Sequence, residues 1–173
     1  MIAYLLASLP SPRLTQTPEI DHDTFLERCR GFVSDERWRD LAGASGDAPR
    51  DPAARAWHDL AAQIDDAVAV HRGANAQRDP TPYLRRPDGF RVDVAEAVEQ
   101  AFARPDPGAR ERALDELRWR LSDELTVSDP DGFAALFARG VQLRLASRWA
   151  AWGAEAGWAA LESSLRTLEA PHA

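Results

Sequence analysis

Apolar residues recur at intervals of three and four along most of this chain, the spacing of helices that bury one face, and strand-like alternation is missing beyond the N-terminal run. A first helix begins near Asp21, carries Phe25, Leu26, Cys29 and Phe32 or Val33, and sets Asp21 and Asp23 at the positive end of its dipole. A short second helix is capped by Ser34, edged by Trp38 and Leu41, and stopped at Gly43. Residues 43–52 read as an exposed loop that ends with Asp51 as N-cap and Pro52 as the first helical residue of a third helix. That helix runs to Arg72 on the stripe Trp57, Leu60, Ile64, Ala67, Val68 and His71, with Gly73 closing it.

Three prolines and the Pro87-Asp88-Gly89 turn signal break the pattern over residues 78–89, the one place where a hinge or lobe boundary is expected. Asp93 caps a fourth helix with Val94, Val98, Ala101 and Phe102, and Asp106-Pro107 starts a fifth. The fifth has a clean stripe of Leu114, Leu117, Leu121 and Leu125, with Arg118 bordering it on one side and Glu124 on the other. Trp119 points away from that stripe, toward a third helix, solvent or a partner. Ser128-Asp129-Pro130 opens a sixth helix, and Gly153 or Gly157 separates it from a seventh in which Trp158, Leu161, Leu165 and Leu168 recur, so the last pair is expected to form a helical hairpin. The apolar start, Met1 to Leu9, is poor in β-branched residues and is followed by Pro10, Pro12 and Pro18; it reads as an extended segment laid on the core. The expected fold is all-α: residues 1–173 as a single bundle of six to seven helices with a short extended N-terminal segment.

One feature interrupts the apolar pattern. On the sixth helix Phe133, Leu136, Phe137, Val141, Leu145 and Trp152 share one broad arc, and Arg144 and Arg148 project from within it. A guanidinium in such a place must find a carboxylate. Either it pairs across the interface with the fifth helix, where Glu124, Asp123 and Glu116 are available, or the face is a docking surface where another protein supplies the acid. Trp119, Trp149 and Trp152 divide the same way between core filling and contact with a partner.

Composition narrows the function classes. A chain of 173 residues buries roughly two-thirds of its unfolded surface without staples. All 21 basic residues are arginine, which reads first as the coding bias of a GC-rich genome, since Ala and Gly are also abundant. A net charge of −7, without arginine clusters interleaved with aromatics, argues against nucleic acid as a partner. Cys29 is the only cysteine, which fits a reducing compartment, and no segment is long and apolar enough for direct membrane insertion.

Catalytic and cofactor chemistry is sparse. His22, His58, His71 and His172 are scattered without ligand spacing, so no metal is expected. Asp129, Asp131 and Gly132 resemble the start of a calcium loop but lack its closing glutamate. A chain without lysine has no P-loop, Ser8 lacks the glycines of a nucleophile elbow, and Asp65 and Asp66 diverge on their helix. No cofactor, small-molecule substrate or catalytic residue is expected.

Several segments resemble a known family. Tyr4-Leu5-Leu6-Ala7-Ser8-Leu9-Pro10, followed by Phe25-Leu26-Glu27-Arg28-Cys29-Arg30, is similar to the start of the bacterial domain-of-unknown-function 2764 proteins. The similarity continues through Arg78-Asp79-Pro80-Thr81-Pro82-Tyr83-Leu84-Arg85, then Leu117-Arg118-Trp119-Arg120-Leu121 with Glu124, and ends in Leu143-Arg144-Leu145-Ala146-Ser147-Arg148-Trp149. Members are encoded beside the subunits of bacterial V-type (A-type) rotary ATPases. The resemblance therefore implies a non-catalytic helical protein in a role like that of the C subunit, the socket between central stalk and membrane ring. Its partners would be ATPase subunits, and its place the cytoplasm, peripheral to the inner membrane through them. In that role Arg144, Arg148, Arg118 and Glu124 form structural ion pairs, and Trp119, Trp149, Tyr83 and Arg85 are candidates for the subunit surface. A transient assembly factor for the same complex is the alternative, and a small cofactor-free helical enzyme, which needs convergent polar groups in a pocket, is a third.

Overall fold

A computed structural model describes residues 1–43 and 48–152, and within them the chain is all-α, with seven helices and no strands. They are α1 (Ile2–Ser8), α2 (His22–Cys29), α3 (Asp35–Ala42), α4 (Pro52–Ala76), α5 (Val92–Phe102), α6 (Pro107–Leu125) and α7 (Phe133–Ala151), with 3-10 turns at Thr81–Tyr83 and Thr126–Ser128. The predicted seventh helix on Trp158, Leu161, Leu165 and Leu168 lies outside the described residues, as does His172.

Capping chemistry sets most of the helix starts. Asp21 accepts from the Thr24 amide at 2.7 Å, Asp51 from Ala53 at 2.9 Å and Asp106 from Ala109 at 2.5 Å, while Pro52 and Pro107 take first-turn positions that need no amide donor. Ser34 caps α3, which ends at Gly43 in the left-handed region at φ +66°. Four boundaries differ from the sequence reading. The N-terminal segment is helical, because packing of Leu5 and Leu9 into the core supplies what seven residues of helix propensity do not. The third predicted helix, α4, runs past Gly73 and ends at Gln77 with φ +52°. Gly73 serves close approach instead: a Cβ there would stand 2.8 Å from the Arg78 carbonyl oxygen. The N-cap of α5 is Arg91, and Asp93 sits in the first turn, paired with the Arg91 guanidinium. Helix α7 starts only at Phe133, with the Asp129 carboxylate reaching forward to the Ala134 amide at 3.3 Å.

Two apolar clusters share the chain. Leu5, Phe25, Cys29, Leu41, Phe137 and Leu143 belong to one, which draws on α1, α2, α3 and α7; Ile64, Val94, Val98, Leu114, Leu117 and Leu121 form the other, among α4, α5 and α6. Trp57 of α4 packs against both. Helix α7 is central and buried around most of its circumference, so Ala134, Ala138, Leu143 and Ala146 are inside along with the predicted arc, whereas Trp152 is 53 % exposed. Gly140 gives α2 room, since a Cβ on it would stand 3.0 Å from the Phe25 ring.

The expected hinge at 78–89 lies between α4 and α5, which pack on one another. Its connector is strapped to α4: the Arg78 amide donates to the Gly73 carbonyl at 2.9 Å, and the Asp66 carboxylate accepts from the Arg85 and Arg86 amides at 2.8 and 3.0 Å. The Gln63 side chain closes the strap, accepting from the Arg91 amide at 3.1 Å and donating to its carbonyl at 2.6 Å.

Candidate functional site

Helices α6 and α7 are antiparallel neighbours joined by a short turn, and their interface carries a polar seam inside an apolar contact. Asp115 and Ser122 lie two turns apart on α6, and Gln142 and Trp149 lie two turns apart on α7. The antiparallel register sets Ser122 against Gln142 and Asp115 against Trp149. The Gln142 amide donates to Ser122 Oγ at 3.3 Å and to Asp123 Oδ1 at 2.6 Å.

The Asp115 side chain has no exposed surface, and three donors converge on its carboxylate. Arg118 Nη1 approaches Oδ1 at 2.9 Å, Trp149 Nε1 donates to Oδ2 at 2.9 Å, and Arg148 Nη2 also binds Oδ2. A carboxylate buried this deeply is tolerable only because its acceptor capacity is taken up, two of the donors being charged. Both arginine side chains are partly exposed, at 20 % and 39 %, although Arg148 Nε is buried with no hydrogen-bond partner among the described residues.

From this point ion pairs extend across the surface. Arg118 also lies 3.6 Å from Asp65 on α4, and Asp65 pairs with Arg85 at 3.1 Å. The relay Arg85, Asp65, Arg118, Asp115, Arg148 thus runs from the 78–91 connector through α4 and α6 to α7. Aromatic rings flank it: Tyr83 is 76 % exposed, Trp149 and Trp152 pack edge to face at 5.1 Å, Arg112 stacks over Trp149 at 4.8 Å, and Arg148 lies 5.5 Å from the Trp152 ring centre. A depression of about 450 Å³ opens beside it, walled in part by Val68, Arg72, Pro80, Tyr83 and Arg85.

Of the residues singled out from sequence, this face gathers Arg85, Arg118, Arg148, Trp149 and Tyr83. It does not gather Glu124, which pairs with Arg91 at 2.6 Å and Arg120 at 3.2 Å. Trp119 is half-buried and packs against the first cluster, away from this face. Arg144, expected to find a carboxylate, has no ion pair among the described residues; it is half-buried near Gly43 and His22, and burial holds its pKa below the ordinary arginine value. The acid that receives Arg148 is Asp115, one helical position from Glu116 and on another face. The available signal was the i,i+3 spacing of Asp115 and Arg118 on a face repeated two turns later by Ser122.

Among the described residues no group of histidine, cysteine and carboxylate side chains is placed to hold a metal, and no helix is long and apolar enough to cross a membrane. His71 is stacked on Phe102 at 4.1 Å between ring centres. Compared with known proteins, the chain matches no family model, no curated protein and no solved structure.

Proposed function

We propose that this chain is a non-catalytic binding subunit of a bacterial V-type (A-type) rotary ATPase, cytoplasmic, and similar in role to the C subunit that joins central stalk and membrane ring. The family resemblance supplies the pathway. The observation that carries a binding role is the arginine and aromatic face anchored on Asp115, in a chain whose net charge is −7. Arginines outnumber the carboxylates they pair with there, and Tyr83 and Trp152 stand out from the surface beside them. Arginine, tryptophan and tyrosine are the side chains that most often dominate binding energy at interfaces. An acidic surface on a stalk or ring subunit is the complement of this face.

A socket must transmit force without bending. The ion-pair relay ties α4, α6, α7 and the 78–91 connector into one unit, so a load applied at Tyr83 or Trp152 is shared by three helices. Affinity purification of the tagged full chain from solubilised membranes of its native cells tests the reading. Rotary ATPase subunits are expected in the eluate, and Tyr83→Ala combined with Arg85→Ala and Arg112→Ala is expected to lose them while the variant stays folded. Recovery of no ATPase subunit would count against the assignment.

A further inference from the structure

On the other flank of α4 an apolar groove of about 580 Å³ opens between α4 and α5, under the 84–90 connector. Its mouth is hydrophobic in a way that folding does not require: Phe90 is 71 % and Val70 48 % exposed. Along α4 the wall runs from Gln63 to Ala74, about 16 Å at 1.5 Å per residue, the length of three helical turns. The polar groups deep in the walls are already engaged within the chain, while the Arg86 and Glu99 side chains stand exposed at the rim. Gln63 holds both backbone groups of Arg91, Asp66 holds the Arg85 and Arg86 amides, and His71 is stacked on Phe102. A small molecule would find apolar surface but no convergent polar anchors to orient it. No sheet edge exists among the described residues for an extended peptide to join.

The rim carries the second half of the argument. Glu96 and Glu99 stand exposed on α5 and form no ion pairs among the described residues, and Glu99 borders the groove directly. A second copy docked groove to groove would set Glu96 and Glu99 against the same two acids. We propose that the groove between α4 and α5 docks an amphipathic helix of a partner protein, which seats apolar side chains spaced i, i+3/i+4, i+7 against Val70, Phe90 and the partly exposed Leu84 and sets basic residues against Glu96 and Glu99. This inference stands apart from the rotary-ATPase reading and holds or fails without it.

The test uses the full chain and three synthetic helices of roughly 18 residues, a length that supports helix formation. One places leucines on a single face with lysines elsewhere, one has the same composition scrambled, and one replaces lysine with glutamate; fluorescence anisotropy reads the affinity. The leucine/lysine helix is expected to bind saturably, and Val70→Asp or Phe90→Ser to weaken it about tenfold or more, as loss of an interface anchor does. Glu96→Gln with Glu99→Gln is expected to weaken it several-fold and to flatten its salt dependence, roughly as loss of screened rim charges does. Both apolar positions are exposed, so circular dichroism should report native helix content in these variants. Equal binding of the scrambled peptide, equal binding of the glutamate peptide, or full binding by Val70→Asp would overturn the proposal. So would a concentration-dependent dimer of the chain alone that Val70→Asp abolishes, because the occupant would then be a second copy.

Discussion

Trp149 donates its indole N–H to the Asp115 carboxylate at 2.9 Å across the α6–α7 interface, and that carboxylate has no contact with solvent. The same oxygen receives Arg148, so the last turns of the central helix are held to α6 by one acid. That acid fixes the two side chains that α7 contributes to the exposed face.

Asp115→Ala is therefore expected to destabilise the fold by about 3 kcal/mol, the lower end of the range for breaking a buried ion pair, because both arginine side chains are partly exposed. Trp149→Phe keeps an aromatic ring but removes the hydrogen bond to a charged acceptor, a loss of about 1.5 kcal/mol from that bond alone, with the indole's extra packing lost besides. Urea denaturation of the two single variants and the double variant gives the coupling between them. A double variant whose loss equals the sum of the single losses would show that the two side chains do not act together.

Much of this architecture is legible in the sequence for local reasons. Asp21, Ser34, Asp51-Pro52 and Asp106-Pro107 announce helix starts because capping involves residues within three positions of each other. The stripe Leu114, Leu117, Leu121 is buried as its spacing requires. What failed was non-local. Helix α1 exists through Leu5 and Leu9 packing on a distant part of the chain, Gly73 is explained only by the return of Arg78 and Pro80, and the acid for Arg148 is chosen by the register of two helices. A single helical wheel contains none of these.

Gly73→Ala tests that reading of the glycine. Alanine is about 1 kcal/mol better than glycine inside a helix, yet the new methyl group would meet the Arg78 carbonyl at 2.8 Å and Pro80 at 3.2 Å. Overpacking costs about 1–3 kcal/mol, so a net loss is expected, read as a lower denaturation midpoint. A raised midpoint would mean that the connector does not press on α4.

Burial among apolar neighbours pushes the Cys29 thiol up to about 12. The native protein is expected to resist a thiol reagent at mildly alkaline pH and to react fully once unfolded. The unfolded chain loses its thiol proton near the ordinary value of 9.0 while the native one keeps it, so stability should fall as pH rises from there toward 12. Cys29→Ala should remove that part of the slope, and an unchanged slope would assign it elsewhere.

His22 is held below its ordinary value of 6.5, first by burial and then by the charge of Arg144, against the opposing pull of Asp23 and Asp21. As pH falls through 6.5 the unfolded state takes up the proton more readily, so stability should decline toward acid. Arg144→Gln should raise the His22 pKa in a proton NMR titration and soften that decline. A His22 pKa that does not move would show that the two charges do not sense each other.

The most direct test of a binding role in the rotary ATPase is to purify the intact complex from native cells through one of its catalytic subunits and to quantify this chain in it by mass spectrometry. A fixed amount stoichiometric with the central-stalk subunits is expected, falling away when Tyr83, Arg85 and Arg112 are replaced together by alanine. Complete and active ATPase that contains none of this chain would contradict the account.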